Sequence, residues 1–527
     1  MRLVRTLTRM ASTISQRPVV AVIGTTGSGK SQLAVSLAQS LASRTDVSRG
    51  VILSADSMQL YRGLDVITNK VTDEEMGGVE HWGLDVVTPG EGGSWEVGKW
   101  CGEATKKMES LDDKALPIIC GGTHYFIQHF LFPPSELSFD RPADNDSFDP
   151  SEVRWKPPGP RPPIPADLDP SLVDLLGTFW MAEPNWPARP EDPSSEPGPS
   201  RSRPTVSEDS KLLSMHTLLK AVDPNEAGRW HWRDGRKVRR GLERWWERGG
   251  GDVSERAKGP GRHARFRTLI FWVYEPMQTL APRLDRRVDK MIENGLLQEI
   301  AEMRAIALKI YGSANAVDHT EGIFQSIGYK EFADLDLSQD DPTKDPRFPA
   351  MVALSKQRTQ QYAKSQLKWV RKQLLPAVRE ARSMGGEVEV FAVPGGETGE
   401  APARAILNAF LQHDSLPDWR SVGHSEAHEV LEKVYHGGEE KVPDTAERQI
   451  LNARKICEIC SEPGKPLSIA ATEWKLHASS RSHRRRLRNM DGTYERLMEQ
   501  QLAMREAKRA EREAARAAKP STAEEAS

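Results

Sequence analysis

The segment Gly24-Thr25-Thr26-Gly27-Ser28-Gly29-Lys30-Ser31 fits G-x-x-x-x-G-K-[ST], and its flanks leave few folds open. Ahead of it runs PVVAVIG (18–24), a continuous apolar stretch rich in β-branched residues, which predicts a buried parallel strand. Behind it, over 30–42, Leu33, Leu37 and Leu41 recur at the spacing of a helix with one apolar face. Apolar runs at 51–55 and 116–120 predict a second and third strand. Strand, glycine-rich turn, helix and strand make a βαβ unit, so the first domain is α/β with a mostly parallel sheet. Such a turn points backbone N–H groups inward around a phosphate, and the helix N-terminus adds partial positive charge. Lys30 would neutralise a terminal phosphate and the Ser31 hydroxyl would ligate Mg²⁺. The signal is strong for a phosphorylated ligand and weak for which one.

The next motifs narrow the choice. The second strand delivers Asp56-Ser57-Met58-Gln59-Leu60-Tyr61, with Thr68-Asn69-Lys70 downstream. In a nucleotide kinase a strand-end acid beside a phosphate loop serves Mg²⁺, but here it is set in DSxQxY with TxK after it. His81-Trp82-Gly83-Leu84-Asp85 follows, and Gly121-Gly122-Thr123-His124-Tyr125 closes the third strand as GGTxxY. Later come Asp223-Pro224 with Ala227, then His231-Trp232-Arg233-Asp234 with Arg236, Val238, Arg239 and Arg240. Arg283-Leu284-Asp285-Arg286-Arg287-Val288, Ile327-Gly328-Tyr329-Lys330-Glu331 and Tyr362-Ala363-Lys364-Ser365-Gln366 with Trp369 complete the series. In this order, over roughly 18–375 apart from an insertion, the motifs resemble those of the tRNA dimethylallyltransferase family. The chain departs from the family pattern at Trp82 and Gly83, at Trp232-Arg233 where Pro-Asn is usual, and at Ser365 where a second basic residue is usual.

The resemblance implies a P-loop NTPase-like parallel-sheet core carrying a helical insertion. It also implies transfer of a dimethylallyl group from dimethylallyl diphosphate to the N6 amine of an anticodon-loop adenosine. That amine is a poor nucleophile, so the reaction needs a base for its proton and a clamp on the leaving diphosphate. By resemblance Asp56 is the base, and Ser31 and Arg287 share the catalytic role. Gly24, Thr25, Thr26, Gly27, Ser28, Gly29, Lys30 and Ser31 would hold the diphosphate, with Mg²⁺ on Ser31. Ser57, Gln59, Thr68, Lys70, Gly121, Gly122 and Thr123 would line the adenosine side. Arg236, Arg239, Arg240, Lys364 and Gln366 would meet the tRNA anticodon stem-loop, which the family holds between its α/β domain and its helical insertion. Plainer roles stay open: a Mg²⁺ partner for Asp56, packing for Gln59, an exposed helix face for the arginines.

Near the C-terminus, Cys457-x₂-Cys460-x₁₆-His477-x₅-His483 has the spacing of a closed, structural Zn²⁺ site. It resembles the matrin-type finger of eukaryotic members of the family, which binds RNA. Trp474 supplies an apolar plug, and Arg481, Arg484, Arg485, Arg486 and Arg488 a basic edge that also fits a nuclear-import signal. This local charge matters because the net charge is −2, which leaves no global field to attract RNA. Cys101 and Cys120 fall in apolar segments, so the four cysteines form no secreted disulfide framework.

The expected organisation is a leader at 1–17, the first part of the core at 18–132 and a Pro/Ser-rich, largely disordered insertion at 133–210. A helical tRNA-binding segment at 211–260 follows, then the rest of the core with basic helices at 261–412. A linker at 413–450, the finger at 451–490 and a charged helical tail at 491–527 complete it. The stretch 351–380 is expected as one long basic helix, and VEVFAV (388–393) as a strand. The leader is rich in Arg and Ser without an acid before Asp46, as in a mitochondrial transit peptide, and Met10 offers a second start. Mitochondrial, cytoplasmic and nuclear pools are therefore expected, for a monomer. No apolar run of about 18 residues occurs, so no membrane span is expected. Three rival readings remain: a P-loop nucleotide kinase, an adenylate isopentenyltransferase acting on free nucleotide, and an RNA-binding protein whose transferase site has decayed.

Overall fold

The computed structural model describes residues 17–89, 97–133, 161–181 except 167, 184–187, 208–247, 262–312, 322–437, 453–462 and 465–490, with isolated residues between them. The chain divides into two compact units, 1–154 with 258–442 and 155–257 with 443–527.

The first unit is a six-stranded parallel sheet. In chain order its strands are β1 (Pro18–Gly24), β2 (Arg49–Ser54), β3 (Glu80–Trp82), β4 (Ala115–Gly121), β5 (Arg267–Val273) and β6 (Val388–Val393), arranged β3-β2-β4-β1-β5-β6. β1 lies between β4 (Val20 opposite Ile118) and β5 (Val20 opposite Leu269), and its residues Val19–Ile23 are wholly buried. Burial on both faces explains why the strand reads as a continuous apolar run. β5 was not expected from the sequence; its run RTLIFWV is too short to tell strand from buried helix by pattern alone, and the neighbouring β1 and β6 decide it.

Helix α1 (Lys30–Ser40) packs on β1, β2 and β4, α2 (Val97–Glu109) precedes β4, and α3 (His124–Leu131) leaves it. Arg17 belongs to this fold. Its guanidinium donates to the carbonyls of Met108 (3.0 Å), Leu111 (3.2 Å), Asp112 (2.8 Å) and Ala115 (3.1 Å), tying the start of β1 to the segment that leads into β4. Residues 1–16 lie outside the described residues.

The expected single helix over 351–380 is broken in two. Phe348–Trp369 passes through a π turn at Val370–Leu374 into Leu375–Ser383. Pro376 supplies no N–H, and its ring crowds the carbonyl four residues earlier, which widens the preceding turn. Much of the expected linker is also ordered here: helix Ser425–Tyr435 buries Ala427 and Leu431 in the same core, and Trp419 joins them.

The second unit has its own apolar core. Helices Pro170–Leu176, Glu208–Val222 and Gly235–Glu247 meet around Leu175, Leu176, Phe179, Leu218, Leu242 and Trp245. The stretch 170–180 is therefore a folded part of the helical unit, within the segment 133–210 that is expected to be largely, not wholly, disordered. Its apolar island suffices because the later helices supply a face to bury it. Most of 133–207 lies outside the described residues. The finger is an antiparallel hairpin of β7 (Arg454–Glu462) and β8 (Lys465–Ala470), followed by helix Arg481–Met490. The expected tail at 491–527 lies outside the described residues.

Candidate active site and metal centre

Ligands in open parallel sheets bind beyond the carboxyl ends of the strands. Here the ends of β1, β2 and β4 converge. β1 ends at Gly24, whose φ of +152° and the 2.4 Å that would separate a Cβ from the Val273 carbonyl oxygen exclude other residues. Within the loop, Ser28 N and Oγ both donate to the Thr25 carbonyl (3.3 and 2.9 Å), and Lys30 Nζ donates to the same oxygen at 2.6 Å. Thr25 Oγ1 is buried and meets no hydrogen-bond partner among the described residues. Ser31 is exposed at the first turn of α1, beside the Cys120 thiol. The Ser31 hydroxyl is an oxygen donor of the kind a hard cation such as Mg²⁺ accepts, with water and phosphate oxygens completing its shell.

Asp56 follows β2. Its Oδ1 accepts from Met58 N at 3.0 Å, an Asx turn that fixes the carboxylate. The turn after β4 is laced to it: Ala55 N donates to Cys120 O (2.8 Å), Thr123 N to Ala55 O (3.0 Å) and Ser57 N to Thr123 Oγ1 (3.0 Å). Gly121 is required here because a Cβ would lie 2.2 Å from the Ala55 carbonyl oxygen. The Thr123 hydroxyl thus positions the Ser57 backbone, and with it Asp56.

Gln366 departs from its expected contact with tRNA. It is 4% exposed, accepts from Thr26 N at 2.8 Å and donates to Gly122 O at 3.0 Å, so one amide joins the phosphate loop to the β4 turn. Its neighbours Lys364 and Lys368 are exposed and keep their place as basic surface residues.

Electrostatics bind these groups together. Burial pulls Lys30 down to about 8, while Cys120 and Asp56 hold it up and Arg287 lowers it further. Burial also lowers Arg287, against the opposing charge of Asp56. Two residues that the motif reading passed over belong to the same cluster. Tyr362 as a residue is 40% exposed, but its phenol is crowded: desolvation raises it, as does Asp56, while a hydrogen bond with Gln366 and the charge of Arg287 oppose the shift. His124, 3% exposed, accepts from Gly24 N through Nε2 at 3.3 Å, and burial beside Lys30 drives it down to about 3. It is a neutral imidazole that anchors the loop entrance. Both stand inside recognised motifs, GGTHY and YAKSQ, so their position in those motifs was the available signal.

Other expected ligand contacts are turned inward. Lys70 is buried, and its Nζ donates to Tyr61 O (3.0 Å), Gly63 O (2.8 Å), Asp65 (2.6 Å) and Asp85 (2.7 Å). This amine closes a loop rather than meeting RNA. The Thr68 hydroxyl back-bonds to Leu64 O (2.8 Å), and the Gln59 amide donates to Asn69 O (2.9 Å) and Thr68 O (3.3 Å). Local carbonyls capture these side chains, a competition that spacing does not reveal. In the helical unit Arg236 is exposed and Arg239 half-buried, whereas Arg240 is paired with Glu243 (2.7 Å) and Glu247 (3.2 Å) on its own helix.

The finger brings together its expected ligands. One atom each from Cys457, Cys460, His477 and His483 lies within 4.8 Å of the others. His483 Nδ1 stands 3.4 Å from Cys457 Sγ, 3.5 Å from Cys460 Sγ and 3.2 Å from His477 Nε2. Bonds of about 2.0–2.3 Å in a tetrahedron require ligand separations of about 3.3–3.8 Å, so the cluster has the dimensions of a Zn²⁺ site.

A profile of the IPP transferase family matches residues 59–154 and 187–373. The chain is 30% identical over 488 residues to a tRNA dimethylallyltransferase of Schizosaccharomyces pombe, covering 90% of this chain and 95% of the relative. It is 29% identical over 486 residues to a human tRNA dimethylallyltransferase, covering 89% and 86%. A solved eukaryotic dimethylallyltransferase acting on tRNA superimposes with a TM-score of 0.61 at 26% identity, over 92% of this chain and 100% of that one. Family profile, full-length relatives and solved fold agree, and the chain belongs to the IPP transferase family.

Proposed function

We propose that this enzyme transfers a dimethylallyl group from dimethylallyl diphosphate to the N6 amine of an anticodon-loop adenosine in tRNA. The observation that carries the reading is a phosphate loop with Lys30 after β1 and a fixed Asp56 carboxylate after β2, in a chain that matches tRNA-acting relatives over nearly its whole length. In the reaction the N6 nitrogen bonds to the allylic carbon, the carbon–oxygen bond to the diphosphate breaks, and Asp56 accepts the N6 proton. The phosphate-loop amides, Lys30 and Arg287 take up the charge of the departing diphosphate. The target base must leave its stack to meet Asp56. The Ser31 hydroxyl would hold Mg²⁺, which would supply further neutralisation of the diphosphate.

Zn²⁺ in the finger is structural: its four protein ligands leave no position open for chemistry. The basic finger and Arg236 support tRNA docking by the helical unit. We further propose that the enzyme acts as a monomer and that 1–17 direct part of it to mitochondria, beside cytoplasmic and nuclear pools; a reporter fused to those residues tests the address. No helix among the described residues is long and apolar enough to cross a membrane.

The reaction is tested by incubating the protein with dimethylallyl diphosphate, Mg²⁺ and either an anticodon stem-loop or free AMP. Digests are then searched for isopentenyladenosine by mass spectrometry. Product on the stem-loop alone is expected. Product on AMP indicates the free-nucleotide enzyme, and none on either indicates a decayed site.

A further inference from the structure

Trp232 stands where the family motif usually has proline, and the structure gives that substitution a role. The residue is 2% exposed, yet it lies outside the apolar core of the helical unit. It reaches across to the finger. The indole Nε1 donates to the Pro466 carbonyl at 2.8 Å, on β8 of the finger hairpin. A second bond fastens the same junction, from Arg454 N at the start of β7 to Gly228 O at 2.8 Å. On the helical side the indole is held by its neighbours. The His231 ring stacks on it at 5.7 Å, and the Arg233 guanidinium lies 4.7 Å from the ring centre while reaching Asp209 at 3.2 Å. Both unusual residues of the motif therefore meet at one place, Arg233 packing on the ring that Trp232 presents to the finger.

The junction adjoins the metal site. A cleft of about 430 Å³ runs between the helical unit and the finger, with Trp232 and Arg233 on one wall and Cys460, His477 and Arg486 on the other. Arg486 in turn donates to the Cys460 carbonyl at 2.8 Å. A proline at 232 would offer neither the ring nor the donor, and a buried indole N–H left without its acceptor is costly.

We propose that Trp232 is a positioning residue that locks the metal-loaded finger onto the helical unit, so that the two present their basic groups to RNA as one rigid surface. The proposal deepens the tRNA reading and rests on it for the nature of the partner. The docked hairpin is also harder to open, so the same lock slows the escape of zinc.

The full-length zinc-loaded protein is compared with W232A, W232F and C457S. Zinc release to a colorimetric chelator and amide hydrogen exchange across 454–470 are read without tRNA. KM and kcat are then read with an anticodon stem-loop. W232A is expected to release zinc about tenfold faster, to expose the hairpin amides, and to raise KM for the stem-loop about tenfold with kcat nearly unchanged. W232F, which keeps the ring and loses the donor, is expected to fall between. Adding W232A to C457S is expected to raise KM no further, because the lock has nothing left to hold. Unchanged zinc release and hairpin exchange in W232A and W232F would overturn the proposal, as would additive effects in the double variant. Failure of the wild type to modify the stem-loop would refute the tRNA reading alone, since zinc release and exchange judge the lock independently.

Discussion

The Lys30 ammonium donates to the carbonyl oxygen of Thr25 at 2.6 Å, folded back onto the loop it is meant to serve. A diphosphate entering the loop competes with that carbonyl for the amine. The competition depends on protonation, because burial has pulled Lys30 down to about 8, with Cys120 and Asp56 opposing and Arg287 adding to the shift. Below that pH the amine is charged and clamps the diphosphate; above it the amine is neutral and the clamp weakens. The value of kcat/KM for dimethylallyl diphosphate should fall about tenfold per pH unit above about 8. K30R should abolish this limb while lowering activity, since guanidinium stays charged. Persistence of the limb in K30R would assign it to another group.

Gln366 joins two parts of the site through one amide, and each end has a separable effect. Q366A should lower kcat/KM for dimethylallyl diphosphate about ten- to a hundredfold, through a loosened phosphate loop and β4 turn, and leave stem-loop affinity unchanged. Q366E retains an acceptor for Thr26 N but loses the donor to Gly122 O, so it should recover part of the loss. Steady-state kinetics with each substrate varied in turn will distinguish this from a direct RNA contact, which would weaken stem-loop binding first.

Asp56 is held by Met58 N and braced through Ser57 and Thr123. D56N preserves the shape of the Asx turn and removes the base. Single-turnover transfer should slow about 10²–10⁴-fold, with tRNA binding within twofold of wild type by filter retention. A collapse of binding instead would make Asp56 a structural residue.

Lys70 binds two carbonyls and two carboxylates with its side chain almost wholly buried, while Asp65 is exposed and Asp85 half-buried. K70M should therefore act on folding, costing about 1–3 kcal/mol from the carbonyls left unpaired. Thermal denaturation would register this as a drop of several degrees, with kcat nearly unchanged in the fraction that stays folded. A normal melting temperature with lost transfer would restore Lys70 to the ligand site.

Much of the site was legible because it is local. The phosphate loop needs its glycines, lysine and serine within one short stretch, and the preceding apolar run can be little but a buried strand. The metal ligands were readable for the same reason, since two pairs at fixed spacing suffice to close a tetrahedron. Gln366, Lys70 and Thr68 were placed by motif membership, and membership does not say which way a side chain turns. Gln366 meets Thr26 across 340 positions of sequence, and that encounter depends on where the long helix crosses the sheet ends. Lys70 was captured by carbonyls of its own loop, a local outcome that still depends on how the loop closes.

The sequence by itself determined strands β1, β2, β4 and β6, the phosphate loop, the acid that follows the second strand and the finger's ligand set, because periodicity and short spacing encode them directly. Tertiary structure alone decided that β5 completes the sheet beside β1, that His124 and Gln366 brace the phosphate loop, and that Trp232 buries itself against the finger. The division has one physical cause. A hydrogen bond or a buried ring needs its partner in space, and partners hundreds of residues apart are chosen by chain topology, on which local sequence pattern is silent.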